Sequence, residues 1–180
     1  MSTKILLGLI GAPGAGKDII ADFLVKSKNF KQFAFADKVK EGYYVASGFS
    51  EEQFKTARGT ELEQTIRKGL WEFSDKMRIE HGSLHFITPV MQEIADCPQS
   101  VVVSDVRTPD ELAQMKDFGA VMIHVFRDPA IEFAGTCIPG TRIAFGLPGS
   151  GSWWWLWNWY ENVESLRETL PYFFKDVLKA

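Results

Sequence analysis

The sequence predicts a three-layer α/β fold, a mostly parallel sheet of five strands flanked by helices. Three observations carry that expectation. Short, unbroken apolar runs at Ile5–Ile10, Val101–Val103 and Val121–Phe126 have the length and composition of strands buried on both faces. The stretches between them place apolar residues at helical spacing. Finally, the first run leads at once into glycines at 11, 14 and 16, and a helical pattern opens directly behind them.

Taken in order, Ile5–Ile10 is the first strand and Lys17 to Lys26 the first helix, with Ile20, Phe23 and Leu24 on one face. Phe33-Ala34-Phe35 reads as a second short strand that ends at Ala36-Asp37. From Glu51 to Cys97 the pattern is mainly helical. There Leu62, Ile66, Leu70, Phe73 and Met77 form one apolar stripe, and Arg67, Trp71, Ser74 and Arg78 form a second stripe on the other side. Arg67 and Arg78 then project in nearly the same direction, about 16 Å apart along the axis. Val101–Val103 is the third strand. Thr108-Pro109-Asp110-Glu111 is a helix start, with Thr108 as N-cap, Pro109 in the first turn and Glu111 completing a capping box. Gly119 ends that helix, and Val121–Phe126 is the fourth strand. Residues 136–152 are rich in glycine and proline and suit a mobile, lid-like loop. A tryptophan-dense fifth strand, Trp153–Trp159, precedes a last helical stretch with Leu166, Leu170, Phe174 and Val177, which Pro171 is expected to kink or split.

At 180 residues the chain has the length of one domain, with residues 41–100 as a helical insertion. A net charge of −3 lacks the basic excess that duplex-DNA proteins carry, although a local basic cleft stays open. The cysteines, Cys97 and Cys137, form no metal-like pattern and read as core or incidental residues. Met1–Lys4 runs straight into a strand, a pattern that fits neither a signal peptide nor a membrane span, so the cytoplasm is the expected compartment.

Gly11-Ala12-Pro13-Gly14-Ala15-Gly16-Lys17 matches G-x-x-x-x-G-K, the P-loop (Walker A) pattern. Glycines let the backbone curl so that successive N–H groups face phosphate oxygens. The helix behind them adds its positive end. Lys17 is placed to reach the β- and γ-phosphates of ATP. Asp18 stands where Ser or Thr usually binds Mg²⁺. Its carboxylate is still a hard oxygen ligand, so it either coordinates Mg²⁺, directly or through water, or only caps the helix.

Gly16-Lys17-Asp18-Ile19-Ile20-Ala21-Asp22-Phe23 resembles the loop and helix of the bacteriophage-type deoxynucleoside monophosphate kinases, which also carry Asp after the lysine. Ser104-Asp105-Val106-Arg107, continuing through Glu111 to Gly119 and the strand that ends in Arg127, is similar to that family's Asp-x-Arg segment. Ala36-Asp37-Lys38-Val39-Lys40 resembles the stretch that opens its acceptor region, and Asn162-Val163-Glu164-Ser165-Leu166 its C-terminal Asn-x-x-Ser-Leu. The Gly-Lys-Asp and Asp-x-Arg pairing is shared with animal-type phosphomevalonate kinases, and residues 41–100 match neither well. The resemblance implies an adenylate-kinase-like P-loop fold, ATP with Mg²⁺, and transfer of a phosphoryl group to a deoxynucleoside monophosphate in bacteriophage deoxynucleotide metabolism, hence in a host cytoplasm.

The resemblance and the positions of the residues together suggest roles. Asp105 serves a Mg²⁺-bound water or orients the acceptor; the alternative is a buried structural carboxylate. Arg107 clamps the acceptor phosphate by a bidentate contact or pairs with Asp110 or Glu111 on the surface. Asp37 orients a hydroxyl or metal-bound water, with Lys40 beside it in the acceptor region. Arg67 and Arg78 border the acceptor pocket or are simply solvated. Arg127 and Arg142 flank the loop that, in kinases of this architecture, closes over the phosphates. His124 reads as a core histidine, and His81 and His85 carry no ligand pattern.

Five of the six tryptophans fall between 153 and 159, and strand alternation puts Trp153, Trp155, Trp157 and Trp159 on one face. Core, a homodimer interface and a base-stacking surface are the competing readings. The last suits a rival function, a kinase for a hydroxymethylated base such as 5-hydroxymethyluracil in DNA. A phosphomevalonate-type kinase, and a nucleotide-binding switch or assembly ATPase, are the others.

Overall fold

A computed structural model describes residues 4–126, 153–157 and 163–178. Strands β1 (Leu6–Ile10), β2 (Lys31–Phe33), β3 (Val101–Val103), β4 (Val121–Phe126) and β5 (Trp153–Trp157) lie in the order β2-β3-β1-β4-β5. Every ladder is parallel, with Leu7 opposite Val102 on one side and Val121 on the other. The P-loop strand is therefore the centre of the sheet and is buried along its whole length. That position explains why it has no polar residue: both faces and both edges are covered.

Alternation along β1 sorts the two faces. Leu7 and Leu9 join Val102, Ile123 and Val125 in a core shared with Ile20 and Leu24 of α1 (Lys17–Lys28) and with Leu166, Leu170 and Phe174. The latter three belong to the last helix, Val163–Val177, called α7 below. Phe23 stacks on Phe174 with ring centroids 5.9 Å apart. That helix runs unbroken through Pro171, contrary to the expected split. The buried stripe of Leu166, Leu170, Phe174 and Val177 crosses the proline, and burial on both sides offsets the one hydrogen bond that proline removes. On the opposite face Gly8 gives way to the side chains of Met122 and of Met115 in α6 (Pro109–Asp117), so helices cover both sides. The capping box expected for α6 is formed in full, and Gly119 follows the helix at φ 75°.

The inserted segment Ala34–Ala95 is a separate compact unit. It contains α2 (Phe35–Ser47), α3 (Glu51–Thr56) and α4 (Glu61–His81), and nearly all of α5 (Ile87–Asp96). A second capping box, Ser50 with Gln53, starts α3, and its S-x-x-Q signal is legible in the sequence. Helices α2 and α4 meet where each offers a glycine to the other's ring: Phe73 lies against Gly42, and Tyr43 lies against Gly69. Lys38 ties α2 to α5 through Glu93 at 2.7 Å while also reaching Glu41 at 3.0 Å. The stripe at Ile66, Phe73 and Met77 is turned slightly from its expected line. Ser74 is buried and Leu62 is 42% exposed, and the Tyr43 ring takes the space above Gly69. Gly69→Ala puts a methyl group into that ring and is expected to destabilise the unit by about 1–3 kcal/mol, read as a lower midpoint in thermal unfolding followed by circular dichroism.

Two boundaries differ from expectation. The second strand is Lys31–Phe33 rather than Phe33–Phe35. Its register is set by β3, with Lys31 opposite Val101, and the ladder closes when Ser104 N–H donates to the Phe33 carbonyl at 3.1 Å. Ala34 is an extended N-cap and helix α2 begins at Phe35, so Asp37 sits in the first turn of a helix and not at a strand end. The fifth strand is described over Trp153–Trp157, and Trp159 lies outside the described residues. Cys97 is buried with a free thiol, while Cys137 lies outside the described residues. No helix among the described residues is long and apolar enough to cross a membrane.

Candidate functional site

Strand β1 delivers the chain into the loop at Gly11, and the loop's geometry depends on glycine at two points. A Cβ at Gly11 would meet the backbone carbonyl of Val125 in β4, and Gly16 caps α1 in the left-handed region at φ 102°. Ala15 between them is fully buried, which pins the loop to the core. Pro13 and Gly14 form the turn between, with Ala15 N–H donating to the Ala12 carbonyl at 3.2 Å. Lys17 folds back along the loop, and its ammonium donates to the carbonyls of Gly11 at 2.8 Å and Ala12 at 2.9 Å.

Lys17 is the electrostatic centre of the site. Burial pushes its ammonium down to about 8, the Arg107 charge pushes the same way, and Asp18 and Asp105 oppose both. Asp18, Asp105 and Arg107 therefore each lie within electrostatic reach of Lys17, although Arg107 is 90 positions along the chain from the lysine. Parallel pairing brings them together. Gly11 and Ser104 follow the carboxyl ends of the neighbouring strands β1 and β3, and the carboxyl end is where open α/β sheets present their loops to ligands. Asp105 is 7% exposed at the end of β3. Arg107 is exposed, and among the described residues no carboxylate forms an ion pair with its guanidinium. Glu111 does bond to Arg107, but through the backbone N–H at 2.7 Å.

His124 was read as a core residue, and it is 1% exposed in β4 with its ring over Phe126, centroids 3.8 Å apart. Burial, and after it the charge of Lys17, pushes the imidazole down to about 4, so it is neutral at neutral pH. Its register opposite Ile10, one residue before the loop, is what brings it close to the lysine. Strand pairing carries that information, and local sequence does not.

The other candidates belong to the inserted unit or fall outside the described residues. Asp37 and Lys40 are in α2 of the inserted unit and pair with each other at 2.7 Å. Arg67 in α4 is engaged by Glu63 through two nitrogens, at 2.8 and 2.6 Å, and its guanidinium lies over the Phe54 ring at 5.2 Å. Arg78 is in the same helix, half-buried in its last turn. Arg127 and Arg142 fall outside the described residues. His81 and His85 stack on each other with centroids 4.8 Å apart.

Among the described residues no group of three or more His, Cys, Asp or Glu is arranged to hold a metal ion. Asp18 and Asp105 still offer hard oxygens within reach of the lysine, and Mg²⁺ bound with a nucleotide characteristically uses one or two carboxylates, phosphate oxygens and water. The donor set fits that ion.

The fold and loop define a class: a parallel α/β protein whose central strand leads through a G-x-x-x-x-G-K loop into a helix. No protein-family model matches the chain, and no curated protein matches it. Among solved structures it is similar to TT1252 from Thermus thermophilus, at 14% identity and a TM-score of 0.57, covering 98% of this chain and 97% of that one. At that identity the likeness bears on the fold alone. A sugar kinase from Janibacter sp. HTCC2649 aligns at 12% identity and a TM-score of 0.45, over 98% of this chain and 95% of that one, too loosely to carry an argument.

Proposed function

We propose that this protein is a kinase that transfers the terminal phosphoryl group of ATP to a small phosphorylated acceptor, a deoxynucleoside monophosphate, and releases two diphosphates. The observation that carries the reading is the set of Lys17, Asp18, Asp105 and Arg107 gathered at the carboxyl ends of adjacent parallel strands. Two cations, two carboxylates and a curled glycine loop are what charge stabilisation of a transferring phosphoryl group requires.

In this scheme the loop's N–H groups and the end of α1 hold the β-phosphate, and Lys17 neutralises the β- and γ-oxygens. Arg107 holds the acceptor phosphate with two parallel hydrogen bonds. Asp18 and Asp105 would hold Mg²⁺ or its waters, and the ion, when bound, would supply neutralising charge to the nucleotide's phosphates. An oxygen of the acceptor monophosphate attacks the γ-phosphorus as the bond from the γ-phosphorus to the bridging oxygen breaks, and ADP leaves. The attacking oxygen is already anionic, so the site needs no strong general base. The resemblance of the Gly-Lys-Asp and Asp-x-Arg segments to the bacteriophage-type kinases supports the choice of acceptor.

The test is ATP consumption with Mg²⁺ against the common and hydroxymethylated deoxynucleoside monophosphates, phosphomevalonate, and DNA containing 5-hydroxymethyluracil. Turnover confined to a monophosphate supports the proposal. Phosphate on DNA, or turnover with phosphomevalonate alone, overturns the acceptor. ATP hydrolysis with no acceptor preference overturns the kinase.

A pH dependence follows from the lysine. Lys17 is protonated below about 8 in the free protein. The kcat/KM for ATP, which reports the free protein, is expected to fall as pH rises through about 8. Bound phosphates hold the proton on Lys17, so kcat should fall only at higher pH. Coincident profiles would show that the lysine does not meet the phosphates.

A further inference from the structure

Glu111, the third residue of α6, is 5% exposed and has been described so far only as a cap. Its Oε2 accepts from the backbone N–H of Thr108 at 2.9 Å and also from that of Arg107 at 2.7 Å, while Thr108 Oγ1 accepts from Glu111 N–H at 3.2 Å. A capping box needs only the reciprocal pair with Thr108. The bond to Arg107 lies outside it and is the shorter of the two. The turn from β3 into α6 is thus held from the helix side, at the residue that carries the exposed guanidinium. Arg107 is exposed, and the backbone beneath it fixes where its side chain starts and in which direction the Cα–Cβ bond leaves.

We propose that Glu111 is a positioning residue for the transfer reaction: by holding the main chain at Arg107 it aims the Arg107 guanidinium at the acceptor phosphate. The role rests on the function proposed above. Small misplacements of a clamp lose rate steeply, about 100-fold for 1 Å, so a carboxyl group that holds the main chain of the clamp residue has kinetic consequences.

A double-mutant cycle tests it, with the best acceptor of the panel. Glu111→Ala is expected to lower kcat/KM for the acceptor roughly tenfold or more and leave the KM for ATP within about twofold. Glu111→Gln, whose amide oxygen can still accept both bonds, should recover most of that loss. Combined with Arg107→Ala, the Glu111→Ala change should cost nothing further, because the group it positions is gone. Glu111→Asp, which keeps a carboxylate near the helix start but withdraws it from Arg107, gives the same acceptor-side loss and serves if the alanine variant does not fold. Rates are referred to the active fraction from nucleotide-binding stoichiometry.

Additive losses in the double variant, equal losses for ATP and acceptor, or an unchanged Glu111→Ala enzyme would each overturn the role. Failure of the function itself looks different, because wild type would then turn over no acceptor at all. An active wild type with a silent Arg107→Ala removes the clamp, and Glu111 with it.

Discussion

Lys17→Ala is expected to cut phosphoryl transfer by roughly 10³-fold or more while the protein stays folded. Removing one preorganised donor from a phosphoryl or oxyanion site costs about 10²–10³ in rate, and Lys17 contributes a full charge as well as hydrogen bonds. The fold should tolerate the change because two effects oppose each other. The ammonium now donates to the Gly11 and Ala12 carbonyls, and those bonds are lost. Its charge, however, is held in a buried site beside Arg107, an arrangement that pushes its pKa down and disfavours the charged form. Thermal unfolding should therefore move by only a few degrees. Near-normal turnover in the variant would defeat the kinase reading; a collapsed unfolding transition would mean that the loop itself depends on the lysine.

Gly11→Ala is expected to act on stability first and on nucleotide binding with it. The new methyl group would point at the carbonyl of Val125, a backbone atom in the neighbouring strand that cannot rotate away, and φ at this residue is 154°. Overpacking against backbone costs about 1–3 kcal/mol or more, and backbone strain adds a similar amount. For a chain of this size the two costs together lower the midpoint by roughly 4–24 °C. Gly14 supplies the contrast. Nothing lies within 4 Å of a Cβ there, so Gly14→Ala bears only the cost of its φ of 77°. If the two variants unfold alike, the clash with Val125 is not what demands glycine at position 11.

What could be read from the residues alone follows the range of the forces involved. The β1–loop–α1 unit was legible because one run of sequence contains the strand, the glycines and the helix. The α6 start was legible for the same reason, since Thr108, Pro109 and Glu111 complete their bonds within one turn. The register of β2 was not. Phe30, Phe33 and Phe35 allow more than one frame, and only pairing with Val101–Val103 across the sheet chooses Lys31–Phe33 and moves Asp37 into a helix. The burial of Ser74 was not legible either, because a serine at helical spacing does not announce which neighbouring helix covers it. The approach of His124 and Arg107 to Lys17 depends on which strands flank β1, again a non-local fact. The glutamate signal at 111 was visible, but its second bond, to Arg107, requires the particular turn that follows Ser104.

The order β2-β3-β1-β4-β5 also governs the protein's birth. The central strand precedes the other four along the chain, yet both of its partners, Val101–Val103 and Val121–Phe126, are made far later. At synthesis rates of about 5–20 residues per second, Leu6–Ile10 waits roughly 5–18 s for Val101 to appear. Meanwhile the helices of Ala34–Ala95, whose contacts are local, have time to form. For those seconds the nascent chain exposes an unpaired, wholly apolar segment, and it is there that a chaperone would take hold.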